Sequence, residues 1–127
     1  MIGRLEAYPT GVMLLSKTLT WRTMMTELPL ETTVHEVAAM RQNGDGHVLV
    51  DCREPDEYAQ VAIDGAVLIP LADLPSRLHE LEPWQAAVVV VHCHHGGRSL
   101  RAARWLREHG FPQAQSMAGG IDAWATE

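Results

Sequence analysis

Four consecutive valines, Val88 to Val91, run into His92-Cys93-His94-His95-Gly96-Gly97-Arg98-Ser99, and this stretch constrains the chain more than any other. An unbroken β-branched run has no polar face to turn toward water. It reads as a strand covered on both sides, the situation of an interior strand in a parallel sheet. Ser99-Leu100-Arg101-Ala102-Ala103-Arg104-Trp105-Leu106-Arg107 reads as the helix that follows. Cys93 therefore stands at the entrance of a short glycine-bearing loop, just ahead of a helix N-terminus.

That position favours an ionised sulfur. Unpaired amides point outward from the first turn of a helix, and the macrodipole adds partial positive charge. A free thiol titrates near about 8.5, and such surroundings lower the value, so the nucleophilic thiolate is available at neutral pH. Gly96 and Gly97 let the loop curl its amides around an anion. Arg98 closes the turn with a permanent fork of donors. The alternative is a buried, inert cysteine in a tight turn; two glycines and an arginine within the next five positions weigh against it.

Helical and extended signals alternate along the remainder. Thr33-Val34-His35-Glu36 is a capping box that opens a helix running to about Gln42, and Asn43-Gly44-Asp45-Gly46 turns the chain. A strand over 47–51 follows, then a short helix begun by Pro55, then a strand over 66–69. Pro70 to Glu82 carries Leu71, Leu74, Leu78 and Leu81 at helical spacing. The helix after the Cys93 loop ends at Gly110, Ala114 to Met117 supplies another strand, and Ile121 to Ala125 a last helix. The pattern implies an α/β domain with a mostly parallel central sheet and helices on both faces. Trp84, Trp105 and Trp124 fall on or beside helices and read as packing residues rather than a binding platform.

Several stretches resemble the rhodanese-like sulfurtransferases, in that family's order. Cys93-His94-His95-Gly96-Gly97-Arg98-Ser99 resembles the active-site loop. Val50-Asp51-Cys52-Arg53-Glu54-Pro55-Asp56-Glu57-Tyr58 resembles the first signature, with Asp51, Arg53 and Glu57 matching. Ile63-Asp64-Gly65-Ala66, running on to Ile69-Pro70, is similar to the second, and Gly119-Gly120-Ile121-Asp122-Ala123-Trp124 to the closing element. Two departures stand out. Val61-Ala62 replaces the family's usual Gly-His pair, and Cys52 occupies a place where valine is more common.

The resemblance implies a three-layer rhodanese-like domain, placed over residues 30–127; residues 1–29 read as a loosely ordered extension for lack of periodicity. It implies that Cys93 attacks the outer sulfur of a donor such as thiosulfate or a persulfide, becomes a persulfide itself, and passes the sulfur to a thiol, cyanide or a protein acceptor. No cofactor is implied. Phosphatases and arsenate reductases of the same architecture have a loop one residue longer than the six from Cys93 to Arg98. A non-catalytic interaction or regulatory module is the competing expectation; retention of Cys93, Gly96, Gly97 and Arg98 favours the enzyme.

The neighbours leave alternatives open. His94 and His95 bind the anionic donor or tune the thiolate, or are simply solvated. Asp51 and Arg53, at the carboxyl end of the Val48-Leu49-Val50 strand, brace the loop or form a purely structural ion pair. Alternation turns Cys52 away from them, so valine should substitute for it at a packing cost of roughly a kcal/mol; the alternative is a resolving thiol, which a Cys52 to Cys93 disulfide in the oxidised protein would reveal. His92-Cys93-His94-His95 invites a metal reading, but adjacent strand residues point to opposite faces, and zinc ligands are spaced by two to four residues. No metal site is expected.

A chain of 127 residues, 46% hydrophobic, is of a size for one domain with a real core. A net charge of −6 weighs against a nucleic-acid partner. No apolar run approaches the roughly 18 residues of a membrane span. Two cysteines without framework spacing suit a reducing compartment, the cytoplasm. Residues 1–29 lack periodicity; Val12-Met13-Leu14-Leu15 is too short for a secretory core, and Met24 and Met25 leave open a later natural start.

Overall fold

The first helix begins where the capping box places it. In a computed structural model that describes residues 28–126, α1 covers Val34–Asn43. The Thr33 hydroxyl accepts the Glu36 N–H at 3.1 Å, and the Glu36 carboxylate accepts the Thr33 N–H at 3.0 Å. Expectations for residues 1–27 lie outside the described residues. Leu28 and Pro29 are tied to the domain: both carbonyls accept from the Arg107 guanidinium, and Pro29 also accepts from Gln115 Nε2 at 2.8 Å.

Five strands form one sheet: β1 (Glu31–Thr32), β2 (His47–Asp51), β3 (Val67–Leu68), β4 (Val88–His92) and β5 (Ala114–Met117). Their order is β1-β5-β4-β2-β3, and every pairing is parallel. Strand β4 thus lies between β5 and β2, which is why four valines in succession are tolerated: Val89, Val90 and Val91 are fully buried. Strand β1, held to β5 by two register pairs, is too short to leave a period-2 pattern in the sequence.

Alternation sorts the strand residues between two cores. Val48, Val50 and Cys52 join Val89, Val91 and Cys93 on one face, against Ala102, Ala103 and Leu106 of α4 (Gly97–Glu108) and against Leu74 and Leu81. Leu49, Val90 and Met117 face the other way, against Val34 and Val37 of α1 and Ile121 of α5 (Gly120–Thr126). The result is three layers. Trp84 and Trp105 pack on the first core and Trp124 on the second.

Pro55 opens the short helix α2 (Pro55–Gln60) as expected. The Pro70 to Glu82 connection differs from one continuous helix. It consists of a 3₁₀ turn (Leu71–Asp73), the four-residue α3 (Leu74–Arg77) and a second 3₁₀ stretch (Leu78–Trp84). Pro75 and Pro83 lack the N–H groups that would reach the Leu71 and His79 carbonyls, so the α ladder cannot close. The four leucines still reach the first core, Leu74 and Leu81 buried and the other two partly so. No helix of the described residues is long and apolar enough to cross a membrane.

Candidate active site

Cys93 follows the last residue of β4 and is 1% exposed. Its sulfur lies 3.0 Å from the Gly96 nitrogen, 3.4 Å from the Ser99 nitrogen and 3.5 Å from the Ser99 hydroxyl. Gly96, at φ +121°, takes a conformation closed to L side chains and delivers the chain into α4. Gly97 opens the helix without needing one. Ser99 is placed in turn: its hydroxyl lies 3.2 Å from the Gly96 carbonyl and 2.7 Å from the Ser116 hydroxyl of β5.

Cys52 supplies the largest effect on this sulfur. It lies one residue past the final register pair of β2 with β4, Asp51 with His92, and its N–H donates to the His92 carbonyl at 3.0 Å. Cys52 and Cys93 are thus lateral neighbours on the same face of the sheet. The Cys52 thiol acts as a hydrogen-bond donor toward Cys93. That bond, helped by Ser99 and Gly96 and opposed by burial, brings the Cys93 thiol down to about 4. The Cys52 thiol is pushed far up by the same bond, by burial and by the charge of Cys93. At neutral pH one sulfur is an anion and its neighbour keeps the proton. Cys52 faces away from Asp51 and Arg53, as alternation requires; what alternation alone does not reveal is that Cys93 shares its face.

Arg98 reaches across to α2. Its guanidinium donates to both Glu57 carboxylate oxygens, at 2.8 and 3.0 Å. Arg98, joined by the Glu54 N–H, holds the Glu57 carboxyl down at about 2, and Glu57 in turn pushes Arg98 up. The fork expected to close the turn is therefore committed to a carboxylate 41 residues away in sequence, while its charge still acts on both cysteines. His94 and His95 are exposed, with rings stacked 3.8 Å apart, and His95 Nδ1 lies 3.8 Å from an Asp122 carboxylate oxygen.

Asp51, Arg53 and His92 form a separate cluster on the opposite face. Arg53 Nε and one terminal nitrogen hold the Asp51 carboxylate, the shortest contact being 2.7 Å, and the same nitrogen donates to the Val61 carbonyl at 2.7 Å. His92 Nε2 is 3.7 Å from Asp51, and burial lowers the imidazole below its ordinary value, leaving it neutral. Its Nδ1 lies 3.4 Å from the Cys93 carbonyl, which can only accept. Asp51 and Arg53 thus reach the loop through His92 and, because Arg53 donates to the Glu57 carbonyl, through the residue that holds Arg98.

Gly119 and Gly120 press on the loop from behind. A Cβ on Gly120 would meet the Cys93 and His94 carbonyl oxygens at 2.4 Å, and Gly120 has φ +60°. The approach lets the Ile121 and Asp122 amides donate to those two carbonyls at 2.8 and 3.1 Å. Glu57 and Gly120 lacked a site role in the sequence, and Cys52 was expected first of all to be a packing residue. Only strand register could have announced Cys52 as a neighbour of Cys93. Among the described residues, no three His, Cys, Asp or Glu side chains are grouped so as to hold a metal ion.

A parallel α/β sheet here delivers a low-titrating cysteine into an amide-lined loop ahead of a helix, an arrangement suited to nucleophilic chemistry. Residues 33–127 match the Rhodanese-like domain family, and the chain belongs to that family. It is 35% identical over 114 residues to the adenylyltransferase and sulfurtransferase MOCS3 of Arabidopsis thaliana, a match covering 77% of this chain and 25% of that protein. A sulfurtransferase of Allochromatium vinosum is 37% identical over 78 residues, 61% of this chain and 71% of the relative. The human single-domain sulfurtransferase TSTD1 superposes with a TM-score of 0.70 at 27% identity, over 79% of this chain and 98% of that one. The chain thus spans only a quarter of the Arabidopsis protein.

Proposed function

We propose that this domain is a sulfurtransferase that carries sulfane sulfur as a persulfide on Cys93. The observation that carries the reading is the convergence of the Gly96 and Ser99 amides and the Ser99 hydroxyl on one sulfur. The Cys93 thiolate attacks the outer sulfur of thiosulfate; the sulfur–sulfur bond breaks and sulfite leaves with its electron pair. The outer sulfur of the new persulfide is then an anion, and loop amides at a helix N-terminus suit its charge. A thiol or cyanide attacks that sulfur, and Cys93 returns as thiolate. Arg98 and the exposed His94 and His95 attract the anionic donor at the mouth of the loop. Sulfurtransferase relatives support the class of reaction, and a donor persulfide or a protein acceptor fits the same chemistry. Free thiols at both cysteines suit a reducing cytoplasm.

The test is thiocyanate formation from thiosulfate and excess cyanide, with ping-pong kinetics and complete loss in Cys93→Ala. Turnover near the unmodified level in that variant, or phosphate-ester hydrolysis faster than sulfur transfer, overturns the reading and leaves the interaction module in its place.

A further inference from the structure

We infer that Cys52 is a resolving thiol: it attacks the inner sulfur of the Cys93 persulfide, closes a Cys52–Cys93 disulfide and releases hydrosulfide. This rests on the reading of Cys93 as a persulfide carrier. The geometry behind it is the parallel register of β2 and β4. Asp51 is opposite His92, so the next positions, Cys52 and Cys93, are opposite one another, with the Cys52 amide already bonded to the His92 carbonyl. Adjacent strands run about 4.8 Å apart, inside the roughly 4.4–6.8 Å window of Cα separations that a disulfide spans. Both side chains point into the same core, since Val48 and Val50 precede Cys52 on that face as Val89 and Val91 precede Cys93. Both are free and buried.

The chemistry follows from where charge goes when sulfur is loaded. While Cys93 is a thiolate, Cys52 is held as a neutral donor beside it and does not react. In the persulfide the charge moves to the outer sulfur, among the loop amides, and the inner sulfur becomes an electrophile. Cys52 then gives up its proton and attacks from the β2 side. The bond between inner and outer sulfur breaks, the outer sulfur leaves with the electron pair and takes the proton as HS⁻, so that the Cys52 sulfur is oxidised, the outer sulfur is reduced to the sulfide level, and the disulfide closes. An external dithiol reopens the disulfide by exchange, being oxidised in the process, and restores both thiols. An external acceptor and Cys52 therefore compete for the same intermediate, and a shortage of acceptor diverts sulfur to hydrosulfide.

The experiment loads the full chain with thiosulfate under anaerobic conditions without an acceptor, followed by intact mass, peptide mapping and sulfide determination. The unmodified chain should pass through a species about 32 Da heavier and end about 2 Da lighter than the reduced protein, with one hydrosulfide released and the Cys52 and Cys93 peptides joined. Cys52→Ser, which keeps a hydroxyl donor beside Cys93, should load more slowly, and Cys52→Ala, which loses that donor, more slowly still; both should end at the heavier species and release no sulfide. Adding cyanide should empty it as thiocyanate. If the unmodified chain holds its persulfide as long as Cys52→Ser does, or the extra sulfur is found on Cys52, the inference falls while the sulfurtransferase reading stands. If neither the unmodified chain nor the Cys52 variants take up sulfur or yield thiocyanate, both fall.

Discussion

The carboxyl ends of β2 and β4 place ionisable groups on both faces of the sheet, and the two faces treat charge in opposite ways. On one, the Asp51 carboxylate is answered by a guanidinium two residues away, and the whole cluster is closed off at 4% exposure or less. On the other, the Cys93 thiolate has no cation in contact among the described residues. It is held by amides, a hydroxyl and a thiol, none carrying a full charge, while Arg98 is kept aside by Glu57. A charge neutralised by its partner is structural and unreactive. A charge held by dipoles keeps its nucleophilicity, because nothing must be broken before it can attack.

Arg53→Met tests the structural face and should have the largest effect on stability. It strands a buried carboxylate, at a cost of about 3–5 kcal/mol by chemical denaturation. Adding Asp51→Asn should recover much of that loss, since the unpaired charge goes with it. The Cys93 titration should stay near about 4 in the single variant, because the groups that set it lie on the other face. A clear upward movement of the thiolate absorbance would show that the two faces are coupled and break the comparison.

Gly120→Ala strikes the support of the reactive face. The methyl group must displace the Cys93 and His94 carbonyls and adopt a left-handed conformation, with strain and overpacking together costing about 2–4 kcal/mol. Unlike Arg53→Met, it should also move the Gly96 and Ser99 amides relative to the sulfur. Thiocyanate formation should fall and the Cys93 titration should rise. Loss of stability with unchanged titration would show that the loop amides hold their places without α5 behind them.

What was legible in the sequence was local. The capping box, the valine run and the Cys93 to Ser99 loop specify their own conformations within a few residues, and the structure places each element there. The Pro70 to Glu82 segment shows the limit of periodicity: the leucine spacing identified the buried face, while two prolines decided the backbone type. Cys52 shows the limit of alternation. Its face followed from Asp51 and Arg53, but its neighbour depended on β2 lying beside β4 in one register, which no local pattern encodes. Glu57 with Arg98, and Gly120 with Cys93, are tertiary contacts of the same kind.

The smallest expected effect belongs to Glu57→Gln, which frees Arg98 while leaving a side chain of the same shape. With both partners about one-third exposed, the pair contributes about 0.5–1 kcal/mol at most, and high salt should shrink the difference. The pH dependence has a defined sign. The Glu57 carboxyl is held at about 2 in the fold, below its unfolded value near about 4.3, so its contribution is fully present above the latter and vanishes as pH falls toward 2. Stability curves of the unmodified chain and Glu57→Gln should run parallel above about pH 5 and converge in acid. In sulfur transfer, a guanidinium no longer tied to α2 is free to swing toward the Cys93 anion, lowering its titration slightly and trading nucleophilicity for charge pairing. Thiocyanate formation should therefore fall by a few-fold with the donor KM little changed. An increase in rate would mean that Glu57 restrains Arg98 from the donor, and that the reactive face is built to be neutralised after all.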